Sequence, residues 1–177
     1  MMETNFKTLL KNISTFVFDV DGVLTDGSVL LLPNGEQSRI MNIKDGYALQ
    51  LAIKQGYNIC IITGGKCEMV KKRLEGLGIK DIYLNISDKA DKIDDYIHAN
   101  HLKKEEVLYM GDDMPDYEAM LKVGVATCPN DSAPEIKQIS TYISPFRGGQ
   151  GCVRDIIEQV LKVQGKWEHT VSVKSTI

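Results

Sequence analysis

Short apolar runs in this chain end abruptly in polar residues, and each is followed by a stretch with helical spacing. Phe16-Val-Phe18 runs into Asp19-Val-Asp21-Gly22, and Asn58-Ile-Cys-Ile-Ile62 into Thr63-Gly64-Gly65. Val107-Leu-Tyr-Met110 delivers Gly111-Asp112-Asp113-Met-Pro115-Asp116. Continuous apolar runs of this length read as parallel strands buried on both faces. Such strands alternating with helices through short links define an α/β fold, a doubly wound parallel sheet with right-handed crossovers. In a sheet of that kind ligands bind off the carboxyl ends of the strands. The polar tips are therefore where chemistry is expected. The topology gathers Asp19, Asp21, Thr63, Asp112 and Asp113 along one edge, with Lys89, at a helix start, reaching the same mouth.

Asp19 and Asp21 are one residue apart, so on a strand they address one side. Crowded carboxylates repel unless a proton or a cation intervenes, and a hard divalent ion such as Mg2+ suits carboxylate oxygen. The competing reading is an ordinary turn after a strand, with Asp21-Gly22 as the turn pair. Taken singly, Thr63 is a β-favouring residue and Lys89 a solvated helix residue. Their places in the ordered set weigh against both readings.

The same patterning gives the other elements. A short helical lead-in reaches about residue 12. Apolar runs around Asn34-Gly35 predict a β-hairpin over about 28–41, because Asn and Gly tolerate positive φ. Its leucines predict packing against another subunit, the alternative being a fold back onto its own domain. Asn42 to Gly46 reads as a lead-in to a helix over 47–55. A basic helix is expected from Lys66 to Gly78, a strand over 81–84, and a helix over 89–99 capped by Ser87-Asp88. Pro115 suits the first turn of a helix running to about 123. Strands over 124–127 and 141–143 and helices over 133–139 and 152–163 complete the series. Residues 147–151 read as a flexible glycine loop, and the tail, about 165–177, alternates Val171 and Val173 without clear periodicity.

The 177 residues suffice for one domain with a sizeable core, taken as 1–177. A net charge of -3 implies no general affinity for nucleic acid. No run is long enough to cross a membrane and no secretory signal is visible, so no membrane partner is expected. None of the four cysteines has CxxC spacing, which fits reduced packing residues in the cytoplasm.

Taken together, the Asp-x-Asp-Gly stretch, the Thr ending a second strand, the Lys before a later helix and Gly-Asp-Asp-x-x-Asp resemble the haloacid dehalogenase-type phosphatases. The resemblance implies Asp19 as nucleophile, Asp21 as acid and base, Thr63 as a phosphoryl-oxygen ligand and Lys89 as a source of positive charge. It implies Mg2+ held by Asp19, the Asp21 carbonyl and Asp112, with Asp113 orienting the metal's water shell or Lys89. Gaps between the motifs are too short for a cap domain, leaving the hairpin as a flap in its place. Asn42-Ile-Lys-Asp-Gly46 and Gly148-Gly-Gln-Gly-Cys-Val-Arg154 resemble the capless branch acting on phosphorylated 3-deoxy sugar acids. That branch implies an eight-carbon substrate, 3-deoxy-D-manno-octulosonate 8-phosphate, and a homotetramer serving lipopolysaccharide synthesis. A nine-carbon relative, or a silent oligomerisation module, is the alternative. The implied sugar-site residues are Asp21, Asn42, Lys44, Asp45, Gly46, Gln50, Gly64, Gly65, Arg73 and Lys89. Gly65 and Lys44 stand where that branch commonly has arginine, and Arg147 with its glycine loop could reach a neighbouring site.

Overall fold

The computed structural model describes residues 5–168. Its parallel sheet is built from β1 (Thr15–Phe18), β4 (Asn58–Ile62), β5 (Asp81–Tyr83), β6 (Val107–Met110), β7 (Val125–Cys128) and β8 (Tyr142–Ile143). Their order across the sheet is β5-β4-β1-β6-β7-β8, and every pair is parallel. The chain runs outward from β1 to β4 and β5, then returns to the other side of β1 for β6. That reversal opens a crevice off the ends of β1 and β6, the position where ligands bind in open α/β sheets.

Strand alternation divides the core. Phe16 and Phe18 face one side, with Leu49, Val70, Leu74, Ile156 and Ile157. These come from α2 (Ile43–Lys54), α3 (Glu68–Gly76) and α7 (Cys152–Val163). Val17 faces the other side with Cys60, Ile62, Ile93, Tyr109, Met120 and Ile136. The helices there are α4 (Lys89–Ala99), α5 (Tyr117–Leu121) and α6 (Pro134–Ile139). A short α1 (Phe6–Leu9) leads in. This is the doubly wound arrangement expected from the apolar runs.

Three local expectations need correction. Asn42 to Gly46 is not a lead-in: Asn42 is the N-cap of α2, its side chain accepting from Lys44 N at 2.8 Å. Gly46 masks this start in the sequence, because glycine is a poor helix former. The hairpin is present, but its strands β2 (Leu30–Leu31) and β3 (Gln37–Ser38) are only two residues each and form a separate ribbon. Residues 147–151 are tightly fastened. Gly149 N donates to Val23 O at 2.9 Å and Gly148 N to Asp131 Oδ1 at 3.0 Å. A Cβ at Gly148 would fall 2.0 Å from the Gly22 carbonyl, so the glycines permit backbone-to-backbone packing. The alternating valines of the tail lie outside the described residues.

Candidate active site

Asp19 directly follows β1 and is 6% exposed; its N–H still donates to Met110 O at 3.1 Å, so the strand fixes its direction. The chain then makes a tight turn, with Gly22 at φ +85° and Thr25 N–H donating to Val20 O. A Cβ on Gly22 would lie 2.0 Å from Asp112 Oδ2. Glycine is thus required for its φ and to let the Asp112 carboxylate approach the turn. Thr63, 3% exposed, follows β4, and its Oγ1 accepts from Gly65 N at 3.1 Å. Lys89 is the first residue of α4, whose N-cap Asp88 accepts from Asp91 N. That start sends the Lys89 side chain inward, where it is buried.

These pieces line one open cavity of about 510 Å³ with Asp21, Gly64, Gly65, Ser87, Asp112 and Asp113. Lys89 Nζ sits 3.0 Å from Asp19 Oδ1 and 2.7 Å from Asp116 Oδ1. Asp116, 1% exposed, also accepts from Tyr109 Oη at 2.9 Å and from Asp112 N at 3.1 Å. Neither Asp116 nor Tyr109 was given a role from the sequence. Asp116 lies four residues after Asp112, on the next turn, which was a usable signal; Tyr109 looked like any strand residue. Asp113, expected to orient the metal's water shell or Lys89, is exposed and caps Met114 N; the carboxylate that holds Lys89 is Asp116.

The electrostatics are those of crowded acids. Burial and the neighbouring Asp116 charge raise Asp19 to about 7, against the pull of Lys89. Burial and the charges of Asp19 and Asp116 raise Asp112 to about 7. Burial opposes the Lys89 ammonium, but Asp19 and Asp116 outweigh it and raise the Lys89 pKa. Oxygens of Asp19, Asp112 and Asp116 lie within 4.8 Å of one another. Asp116 spends both of its oxygens on Lys89, Tyr109 and the Asp112 amide. Asp19 Oδ1 accepts no aligned hydrogen bond, although Lys89 is near. Asp19 and Asp112 therefore fit a hard divalent cation, which would relieve their repulsion.

Asp21 is held by a residue the sequence did not single out. Arg39, just past β3, donates from Nε to Asp21 Oδ1 at 2.6 Å and from Nη2 to Oδ2 at 3.1 Å. The hairpin thereby reaches the rim of the cavity.

The other expected sugar-site residues are not brought to this cavity. Asn42 Nδ2 donates to Gly149 O at 3.2 Å, and buried Asp45 accepts from Arg154 N at 2.7 Å. Both fasten the glycine loop to α2. Burial raises Asp45 to about 6, opposed by the Arg154 and Gly151 amides. Lys44 is exposed beside a recess lined by Gln150 and Arg154. Gly46 packs beneath Arg73 and Leu77, Gln50 is half-buried with Oε1 unpartnered, and Arg73 borders an apolar groove under the hairpin. Arg147 opens the fastened loop, its carbonyl accepting from Gln150 N at 3.1 Å.

Residues 40–129 match the family described as haloacid dehalogenase-like hydrolase. The 3-deoxy-D-manno-octulosonate 8-phosphate phosphatase of Salmonella typhi is 34% identical over 165 residues, 93% of this chain and 88% of that protein. The enzyme of that name from Escherichia coli K12 is 35% identical over 156 residues, 88% of this chain and 83% of its own. A solved Yersinia pestis phosphatase of the same name superposes with a TM-score of 0.92 at 29% identity, over 96% of this chain and 92% of that one. A Moraxella catarrhalis counterpart, in complex with magnesium ion, phosphate ion and KDO, gives 0.90 at 30% identity, covering 93% and 95%.

Proposed function

The chain belongs to the haloacid dehalogenase-like hydrolases, and from that membership we propose that it hydrolyses 3-deoxy-D-manno-octulosonate 8-phosphate to the free sugar acid and phosphate. It is a Mg2+-dependent phosphoric monoester hydrolase in this reading, and the product serves lipopolysaccharide synthesis. The observation that carries the proposal is the meeting of Asp19, Thr63, Lys89 and Asp112 in one mouth, with Lys89 3.0 Å from Asp19. The likeness to phosphatases of that name extends over nearly the whole chain.

Asp19 is the nucleophile. One carboxylate oxygen attacks phosphorus in line with the leaving sugar oxygen, giving an aspartyl-phosphate. Its direction is set by β1, and its charge is balanced by Lys89, which is held by Asp116, itself bound by the Tyr109 hydroxyl. Asp21 gives the leaving oxygen its proton and later takes one from the attacking water. Thr63 Oγ1, itself accepting from the Gly65 N–H, and the Gly64 amide donate to phosphoryl oxygens. Asp19, Asp112 and the Asp21 backbone carbonyl would hold Mg2+, which neutralises charge between the phosphate and the attacking carboxylate.

Asn42 and Asp45 act behind the mouth. They tie the glycine loop to α2, and that loop packs on the Gly22 turn. A homotetramer is also part of the proposal. Leu30, Leu31 and Ile40 are 64%, 73% and 83% exposed, an apolar surface that a second copy would cover. The reaction is assigned to the cytoplasm, where free cysteines such as buried Cys60 and Cys128 stay reduced.

Phosphate release from eight-carbon and nine-carbon sugar acid phosphates, each with and without Mg2+, tests this. Preferred Mg2+-dependent turnover of the octulosonate 8-phosphate is expected. Preference for a nine-carbon substrate would shift the assignment, and no release from either would overturn it.

A further inference from the structure

Arg39 offers more than a tether for the hairpin. Its guanidinium makes a two-pronged contact with a carboxylate, that of Asp21, at the rim of the cavity. The planar fork of arginine matches a carboxylate in this geometry. The Asp21 carboxyl group is about one-third exposed and Arg39 is largely covered, so the partner is easier to exchange than the receptor.

The space around Arg39 has a further property. A recess of about 360 Å³, lined by Gln37, Arg39, Gly64, Gly65, Lys66 and Cys67, adjoins the reaction cavity. Gly64 and Gly65 line both spaces, so these two glycines form the sill between them. A Cβ at Gly65 would lie 3.5 Å from Asp21 Oδ2 and 3.8 Å from Arg39 Nη2. A longer side chain would fill the passage between the Asp21–Arg39 pair and the sill. Without one, a substrate whose phosphate lies against Asp19 can extend over Gly65 towards Arg39.

We propose that Arg39 is the specificity residue for the substrate's carboxylate, exchanging its contact with Asp21 for one with the sugar acid bound across the Gly64–Gly65 sill. The inference rests on the reading of the substrate as a phosphorylated sugar acid. The exchange has a chemical consequence. While Arg39 grips both Asp21 oxygens, neither is free to serve a leaving group. A substrate carboxylate that takes over the fork frees Asp21 to take up a proton from solvent and give it to the leaving oxygen. A sugar phosphate without a carboxylate leaves the pair closed.

The test uses the whole enzyme with Mg2+ and Arg39→Gln and Arg39→Lys variants. The substrates are octulosonate 8-phosphate, a neutral hexose phosphate and p-nitrophenyl phosphate, whose leaving group needs no proton. Turnover of octulosonate 8-phosphate by the unmodified enzyme tests the substrate reading separately. For the exchange, Arg39→Gln should lose about 100-fold in kcat/KM on the sugar acid, with KM rising. Its activity on p-nitrophenyl phosphate should fall far less than that on the sugar acid, so the preference for the sugar acid over hexose phosphate should collapse. Arg39→Lys, a cation without the fork, should recover only part of the loss. A uniform fall on both sugar phosphates, with their ratio unchanged, would make Arg39 a mere support for Asp21 and overturn the proposal. Unchanged discrimination in both variants would overturn it too.

Discussion

The mouth at the sheet edge and the hairpin above it are built on opposite plans. In the mouth, polar groups are sunk at the tips of buried strands and held several times over. Lys89 touches two carboxylates, and Asp116 receives a lysine, a tyrosine and a backbone amide. The hairpin has two-residue strands, exposed leucines and one bidentate ion pair to the rim. The difference teaches that the reacting groups depend on the core for their geometry. The arginine that reaches the rim is carried by an attached ribbon and can vary without disturbing the sheet.

Asp19→Asn should break the mouth most severely. It keeps the shape but removes the nucleophile, so kcat should fall by at least about 10,000-fold in steady-state assays while the fold persists. Lys89→Met comes next. Two acids lose their buried counter-charge, so kcat should drop by about 100- to 1,000-fold. The melting temperature should fall as well, because a buried ion-pair network has lost its partner. An exposed helix lysine would show neither effect.

Much of this contrast was legible from residue order. The strand tips could be placed because each apolar run stops at its first functional residue, as at Phe18-Asp19 and Ile62-Thr63. Lys89 could be placed because Asp88 is a good cap. The support behind the tips was not legible. Tyr109 serves Asp116 through its hydroxyl from a position where only its ring was expected to matter. Arg39 reaches Asp21 only because the hairpin folds back over the rim, a long-range event with no local signature. The glycine loop misled for a physical reason. Glycine signals freedom in an isolated chain, whereas at Gly148 it signals backbone contact.

Gly22→Ala sharpens the account of the mouth. The added methyl meets Asp112 and must adopt an unfavourable φ, so stability should drop by about 1–3 kcal/mol in denaturant titration. Mg2+ affinity should weaken with it. The hairpin responds differently: Leu31→Asp should leave p-nitrophenyl phosphate hydrolysis largely intact while reducing the mass in solution from four chains. A wild-type monomer would remove the tetramer.

A pH-dependent effect belongs to Asp45, behind both regions. Its folded pKa of about 6 lies above the ordinary carboxylate value of 3.8. The protonated group is therefore favoured by folding. Its contribution is fully present below about pH 3.8 and is lost as pH rises through about 6, amounting to roughly 3 kcal/mol at most. Asp45→Asn cannot ionise, so its stability relative to wild type should increase between about pH 4 and pH 7. A constant difference across that window would show that Asp45 does not ionise at a cost.

The most direct test of the central claim is to quench the enzyme in acid during turnover of octulosonate 8-phosphate with Mg2+ and map phosphate on its peptides. The account predicts an acid-stable phosphoryl group on the peptide carrying Asp19, absent when Mg2+ is withheld. Phosphate on another residue, or steady turnover with no phosphoryl-enzyme and with Asp19→Asn still active, would contradict it.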